Sequence, residues 1–352
     1  MVAGIKSLVI CATAAVAACT PTPPSPTPIV RKEWRTLTTS QKAEYINAVK
    51  CILAKPALTP EGSPPTGHGV ISRYDNLVYT HIQQTFSVHY VGHFLAWHRL
   101  FTATYEKMLR NECGYTGAQP YWDWTLDAAD ITASPVFDPV TGFGGNGPYV
   151  PDDPTSWFPP VPGRTGGGCV VDGPFAGIND LVHLGPQSSV AYNPQCLKRD
   201  LSPYFAGRYL GMNQTQLTLS QPDFGWFNAV VEGGPSFDAS GLHGGGHYSV
   251  GGSFGQMGDL YTSPADPIFH LHHANLDRVW WSWQSLNLPA RLADISGPSV
   301  MMDTSSPNVT LSWPLSVGVS GVDTAVGDVM KVDACGSGGS LCYTYDSLYT
   351  LL

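Results

Sequence analysis

The chain has 352 residues, 43% of them hydrophobic and 13% charged, with a formal net charge of -9. That is ample apolar material for the core of one large domain or two. The acidic balance, with no Lys/Arg cluster anywhere, excludes a basic face for nucleic acid or anionic lipid.

At the N-terminus, Lys6 and then an apolar run from Leu8 to Ala18 give the charged-then-apolar order of a secretory signal. The expected division is a signal peptide at 1–18, a Pro-rich linker at 19–30 and a folded domain at 31–352. Val16-Ala-Ala-Cys19 also resembles a lipoprotein cleavage site, which keeps acylation of Cys19 as an alternative. With Cys11 and Cys19 in the leader, the remaining cysteines are Cys51, Cys113, Cys169, Cys196, Cys335 and Cys342. An even set in a secreted chain predicts disulfides. Pairing in sequence order is favoured, although only Cys335 with Cys342 rests on proximity. Asn213-Gln-Thr215 and Asn308-Val-Thr310 are glycosylation sequons, in keeping with an extracellular protein.

Thr38-Thr-Ser-Gln41 reads as a capping box, and Tyr45, Ile46, Val49, Ile52 and Leu53 continue at helical spacing until Pro56. A second helix begins near Ser72, with His81 on its apolar stripe of Tyr74, Leu77, Val78, Ile82 and Thr85. From His93 to Arg110 another stripe, Phe94, Trp97, Phe101, Tyr105 and Met108, includes His98. Residues 114–225 are rich in Gly and Pro and read as irregular loops, apart from short pieces near Pro174 to His183. His243-Gly-Gly-Gly-His247 brings two imidazoles to one side if helical, although each glycine costs about 1 kcal/mol against alanine in a helix. Asp266-Pro267 supplies an N-cap and first-turn proline for a helix running to about Leu286, whose stripe carries His273. Alternation in Val309-Thr-Leu-Ser-Trp313 suggests short strands and turns near the C-terminus. The expected fold is mainly α, in one domain, with four helices bearing inward histidines.

A single inward histidine is usually a hydrogen-bonded core residue, and His68, His93 and His183 fit that plain account. Clusters are different, because several buried imidazoles without a shared ion would leave polar nitrogens unsatisfied. His81, His89 and His98 form one cluster; His243, His247 and His273 form another. Neutral three-imidazole sites without carboxylate or thiolate favour a borderline redox metal, copper first, over Mg²⁺ or Ca²⁺. His270 and His272 adjoin His273, and helical geometry alone does not choose among the three. A zinc-protease site is excluded, since Gly244 stands where the general-base glutamate is needed. Gly-x-Ser-x-Gly is absent, and the glycine stretches near Gly144, Gly166 and Gly251 lack a phosphate-binding context.

His89-Tyr-Val-Gly-His-Phe94-Leu-Ala-Trp97-His98-Arg99, with His81 upstream, resembles the first copper motif of tyrosinases, catechol oxidases and other polyphenol oxidases, and of their short secreted fungal branch in particular. Asp266-Pro267-Ile-Phe269 through His273-Ala-Asn-Leu-Asp277-Arg278 is similar to the second motif, in which the later histidine of the pair His272-His273 is the ligand. Tyr343-Thr-Tyr345 resembles the tyrosine motif that closes the catalytic core. The resemblance spans about Arg31 to Tyr345. It implies a four-helix bundle holding two coupled copper ions, each on three histidines, among extensive loops and a few short strands. It also implies O₂ as co-substrate and oxidation of small phenols to o-quinones. Phe94 and Phe269, one turn before His98 and His273, are expected to stack on or wedge the ligand rings, and Asp277 to act as an acceptor or helix anchor.

Several relatives crosslink the middle ligand of the first site to a cysteine; here Ser87 lies nearby and no thioether is expected. His270 replaces an aromatic or aliphatic residue of the motif. Glu232 resembles the family glutamate that orders a water near the coppers, with three more residues than usual before His243. Its partner asparagine, directly after the first ligand of the second site in hydroxylating members, is replaced by Gly244. Tyr248 and Leu260 are expected to border the substrate entrance. Together these imply oxidation of o-diphenols or methoxyphenols with weak tyrosine hydroxylation. A full tyrosinase is the alternative within the family, and a non-enzymatic O₂-binding dicopper protein or a dizinc hydrolase the alternative outside it. With only seven residues after Tyr345, no C-terminal lid is expected over the site.

Overall fold

A computed structural model of the protein describes residues 27–58, 68–152, 159–336 and 340–352. The apolar leader, Cys11, Cys19 and most of the Pro-rich segment lie outside the described residues. Among them, no helix is long and apolar enough to cross a membrane.

Strand β1 (Ile29–Arg31) precedes helix α1 (Thr39–Ala54), which opens on the expected box: Thr38 accepts from Gln41 N–H and the Gln41 side chain accepts from Thr38 N–H. Helix α2 (Arg73–Val88) begins at a second box, Ser72 with Asp75. Helix α3 (Phe94–Cys113) runs three residues past Arg110 and stops at Gly114, whose φ of 69° ends the helix without steric cost.

The reading of 114–225 as irregular loops is corrected. Helices α4 (Pro203–Tyr209) and α5 (Met212–Leu219) fall inside that stretch, and α6 (Phe224–Glu232) begins there. Ser202 accepts from Phe205 N–H ahead of Pro203, a capping arrangement for α4, and Asp223 caps α6 through Trp226 N–H. Pro174 to His183, in contrast, holds turns and bends.

Helix α7 (Leu242–Gly251) forms despite its glycines, for a reason found in its neighbours. A β-carbon on Gly245 would stand 2.7 Å from Tyr209 Cβ, and one on Gly251 1.8 Å from the Gly258 nitrogen. Close packing forbids side chains at these positions and supplies the burial that offsets the weak propensity. Helix α8 (Ile268–Ser285) starts one residue later than expected, and is buried along nearly its whole length. Asp266 still accepts from Ile268 N–H, and its carboxylate also takes both arms of the buried Arg199 guanidinium.

Near the C-terminus, β2 (Pro314–Leu315) and β3 (Thr324–Ala325) form an antiparallel pair just beyond the stretch read as strand. Strand β4 (Tyr343–Tyr345) lies parallel to β1, with Arg31 opposite Tyr345. The three disulfides are Cys51–Cys113, Cys169–Cys196 and Cys335–Cys342, the favoured order.

The N- and C-terminal strands converge on one carboxylate. Asp277, on α8, accepts from Arg31 and Arg99 and from the hydroxyls of Tyr343 and Tyr345. Burial opposes its charge, but the two guanidiniums and the two phenols outweigh it and hold the carboxyl below its ordinary range. The expected anchor is thus a hub joining α3, α8, β1 and β4.

Candidate metal centre

Four helices carry the clustered histidines: His81 lies on α2, His98 on α3, His243 and His247 on α7, and His273 on α8. His89 follows α2 directly. The ligand nitrogens of His81, His89 and His98 all lie within 4.8 Å of one another, and so do those of His243, His247 and His273. The triads face each other: His98 stacks on His273 with centroids 4.6 Å apart, and His89 lies over His243 at 5.6 Å.

Hydrogen bonds fix which nitrogen points inward. A carbonyl only accepts, so each Nδ1 that meets one carries the proton. His81 donates to Tyr261 at 2.8 Å, His89 to Thr85 at 2.8 Å, His98 to Phe94 at 2.9 Å and His247 to Met257 at 2.9 Å. In each ring Nε2 is left as a lone pair aimed at the centre. The Nε2 atoms of His81, His98 and His243 are buried with no protein partner, and those of His247 and His273 face each other at 3.2 Å. Buried acceptors are normally satisfied, so this donor set fits a pair of metal ions. Neutral nitrogen ligands of this kind suit copper.

Burial is the main force holding these imidazoles neutral, reinforced in most by repulsion from neighbouring rings. It brings His89 and His247 to about 4, and lowers His81, His98, His243 and His273 well below the ordinary histidine value. Phe94 lies 4.6 Å from the rings of both His98 and His243, and Phe269 4.1 Å from His273. These two fully buried rings are the wedges expected from the motifs, and they shield the ligands from water.

Tyrosinase: the common central domain of that name matches residues 71–286, which contain all six clustered histidines. The chain belongs to the tyrosinase family. Tyrosinase P of Aspergillus terreus is 34% identical over 347 residues, covering 92% of this chain and 94% of its own length. The tyrosinase-like protein phomQ1 of Diaporthe leptostromiformis is 37% identical over 288 residues, 78% of this chain, which spans 66% of that relative. A mutant polyphenol oxidase from Thermothelomyces thermophila shares the fold at a TM-score of 0.80 and 41% identity, with 91% of this chain and 89% of that one covered. In this tyrosinase-family chain the two triads suit a coupled dinuclear copper centre.

The other histidines have separate settings. His270 stacks on Tyr105 at 3.5 Å, and neither ring nitrogen has a partner. His272 places Nε2 3.2 Å from the carbonyl of His243 and covers Gly246, where a β-carbon would lie 2.1 Å from its ring. Neither belongs to a triad. His68 Nδ1 accepts from Val70 N–H, His183 pairs with Asp75 at 2.8 Å, and His93 precedes α3 beside Trp313.

Glu232, at the end of α6, is buried and accepts from Tyr90 N–H and, at 2.9 Å, from the Asn228 amide. Burial pushes its carboxyl up to about 8, against these two donors, which favour the charged form. Gly244 has room: a β-carbon would lie 3.4 Å from Ser240 Oγ and 3.8 Å from Tyr248 Cε2, ordinary contacts. Tyr248 packs on Phe205 and Phe237, at 5.3 and 5.0 Å. Leu260 is 38% exposed, next to the Tyr261 whose carbonyl orients His81. The partners Asn228 and Tyr90 escaped the sequence reading, although Asn228 lies one helical turn before Glu232, the spacing at which side chains meet.

Proposed function

We propose that this protein is a secreted polyphenol oxidase that uses O₂ to oxidise o-diphenols, and substituted phenols such as methoxyphenols, to o-quinones, with weak hydroxylation of tyrosine. The observation that carries the reading is the pair of facing imidazole triads, with backbone carbonyls holding Nδ1 of His81, His89, His98 and His247 so that Nε2 points inward. Bound there, a copper pair would supply the redox chemistry, passing to each O₂ the four electrons given up by two o-diphenols, with two waters as the product.

The remaining work falls to the chain itself. The carbonyls of Tyr261, Thr85, Phe94 and Met257 keep four rings from turning, so little reorganisation accompanies each change of charge at the centre. Phe94 and Phe269 exclude water from the ligand side of both triads. Tyr248 and Leu260 border the entrance and favour flat, apolar rings. Glu232 uses two of its acceptor positions on Tyr90 and Asn228, and its remaining lone pairs are free to order a water.

The substrate preference follows from Gly244. A monophenol must lose a proton before it can be hydroxylated, and a second polar side chain beside Glu232 would assist that loss. Gly244 offers none, whereas a catechol is more acidic and chelating and needs less help. Three disulfides and the fungal relatives fit secretion, with 1–18 removed as a leader and 31–352 acting as the catalytic domain. Oxygen uptake on catechol, guaiacol and tyrosine tests the proposal. Rapid turnover of the first two with slow tyrosine oxidation is expected; fast, lag-phase hydroxylation of tyrosine would overturn the preference.

A further inference from the structure

His89 is the one ligand of the six outside a helix. Its backbone is extended, with φ -122° and ψ 143°, and Tyr90 after it is left-handed at φ 53°. A residue with a side chain rarely adopts that conformation, and keeps it only where the surroundings over-determine it. The surroundings here are specific. Tyr90 donates its N–H to Glu232 Oε2, and its carbonyl accepts from Met302 N–H at 3.2 Å; Met302 is itself left-handed at φ 56°. The Val91 carbonyl accepts from the Asn228 amide at 3.1 Å, and the same amide donates to Glu232 Oε1. Gly92 donates to the Pro298 carbonyl at 2.8 Å, with no space for a β-carbon, which would stand 2.6 Å from Ser296 O. The residues after His89 are therefore gripped by α6 on one side and by the 296–302 loop on the other.

We infer that Glu232 is a positioning residue for His89, setting that ligand through the backbone of Tyr90, in a role separate from any water it orders. Both hydrogen-bond partners of Glu232 are neutral N–H groups, and a buried carboxylate without a cation is costly to keep. Asn228 has a buried Oδ1 with no partner, and both of its N–H groups are spent on this lock. Two unfavourable polar placements thus meet at the one ligand that lacks helical support. The inference rests on the reading of His89 as a copper ligand, and on no assumption about the substrate.

Hydrogen exchange on the metal-free protein and copper counting on the loaded one test it together. Glu232→Ala is expected to raise amide exchange at residues 90–92 by about tenfold or more, with α8 unchanged. It should also cut copper from two per chain to one, leaving the paramagnetic signal of an isolated Cu(II). Glu232→Gln, whose amide oxygen still accepts from Tyr90, should keep both ions. Adding Tyr90→Gly to Glu232→Ala should restore the second, since glycine reaches the left-handed region freely. If Glu232→Ala does not fold, Glu232→Asp, which withdraws the carboxylate by one methylene, is read in the same way. Two coppers and unchanged protection, with only turnover reduced, would assign Glu232 to water or substrate chemistry alone and overturn the inference. Loss of both ions together, or no rescue, would also overturn it.

Discussion

Gly246 lies so close to His272 that a β-carbon on it would stand 2.1 Å from Cε1 of the imidazole. Both residues are buried, and the contact fixes the approach of α7 to α8, so it sets the spacing of His243 and His247 from His273. Gly246→Ala is expected to destabilise the protein by about 1–3 kcal/mol or more through overpacking and to weaken copper at the second triad. Gly244→Ala, two residues away, where a β-carbon makes only ordinary contacts, should be neutral or stabilising by about 0.5–1 kcal/mol from helix propensity. Thermal unfolding of the two variants, with copper analysis, checks the contrast.

Gly244→Asn places an amide where the chain has only hydrogen, and its β-carbon meets nothing closer than 3.4 Å. The variant should fold normally and hydroxylate tyrosine faster relative to catechol than the parent. An unchanged ratio of the two rates would show that Gly244 does not set the preference.

Asp277 compensates two buried guanidiniums, those of Arg31 and Arg99. Replacing it with asparagine leaves Arg99 without a counter-charge and Arg31 with Glu106 alone, for an expected loss of about 3–5 kcal/mol in chemical denaturation. His270→Phe, by contrast, removes two unpartnered nitrogens beside Tyr105 and should keep two coppers per chain. Loss of one copper in that variant would place His270 among the ligands.

pH acts in opposite senses at two places. Burial disfavours charge on His183, but its hydrogen bond to Asp75, that carboxylate's charge and Asp180 outweigh burial and raise it above its ordinary value. Its contribution to stability is complete below about pH 6.5, the unfolded value, and is lost as pH rises through the folded one. His89 and His247, held down to about 4, act the other way in the copper-free protein. Between about pH 6.5 and 4 the unfolded chain binds more protons, so stability falls as pH falls. Urea unfolding of copper-free protein across pH, with and without His183→Asn, should separate the two: the substitution flattens only the upper limb.

The helices around His81, His98 and His273 were readable because an unbroken 3.6-residue apolar stripe carries each histidine. A capping box at Thr38 marked the start of α1, whereas the box of Ser72 with Asp75 was not read and the start of α2 came from its apolar stripe. Helix α7 was weakly signalled, since its glycines answer to Tyr209 and His272, residues distant in sequence. Helices α4 and α5 were missed because they are too short for a period to show, although Ser202-Pro203 is a recognisable start. At the site, residue types and spacing pointed to two histidine clusters, and the choice of His273 over His270 and His272 came from the resemblance to the second copper motif. The lock on Tyr90 was not readable, because a left-handed tyrosine depends on what packs against it rather than on its own preference.

The central claim is that six inward imidazoles hold two copper ions in a coupled pair. Anaerobic titration of the metal-free protein with cuprous ion, followed by admission of air, tests it most directly. Binding should saturate at two ions per chain, with a strong near-ultraviolet band appearing on oxygenation, and His98→Ala or His273→Ala should each lose one ion and the band. Saturation at any other number in the parent protein, or a sample that stays colourless in air, would contradict it.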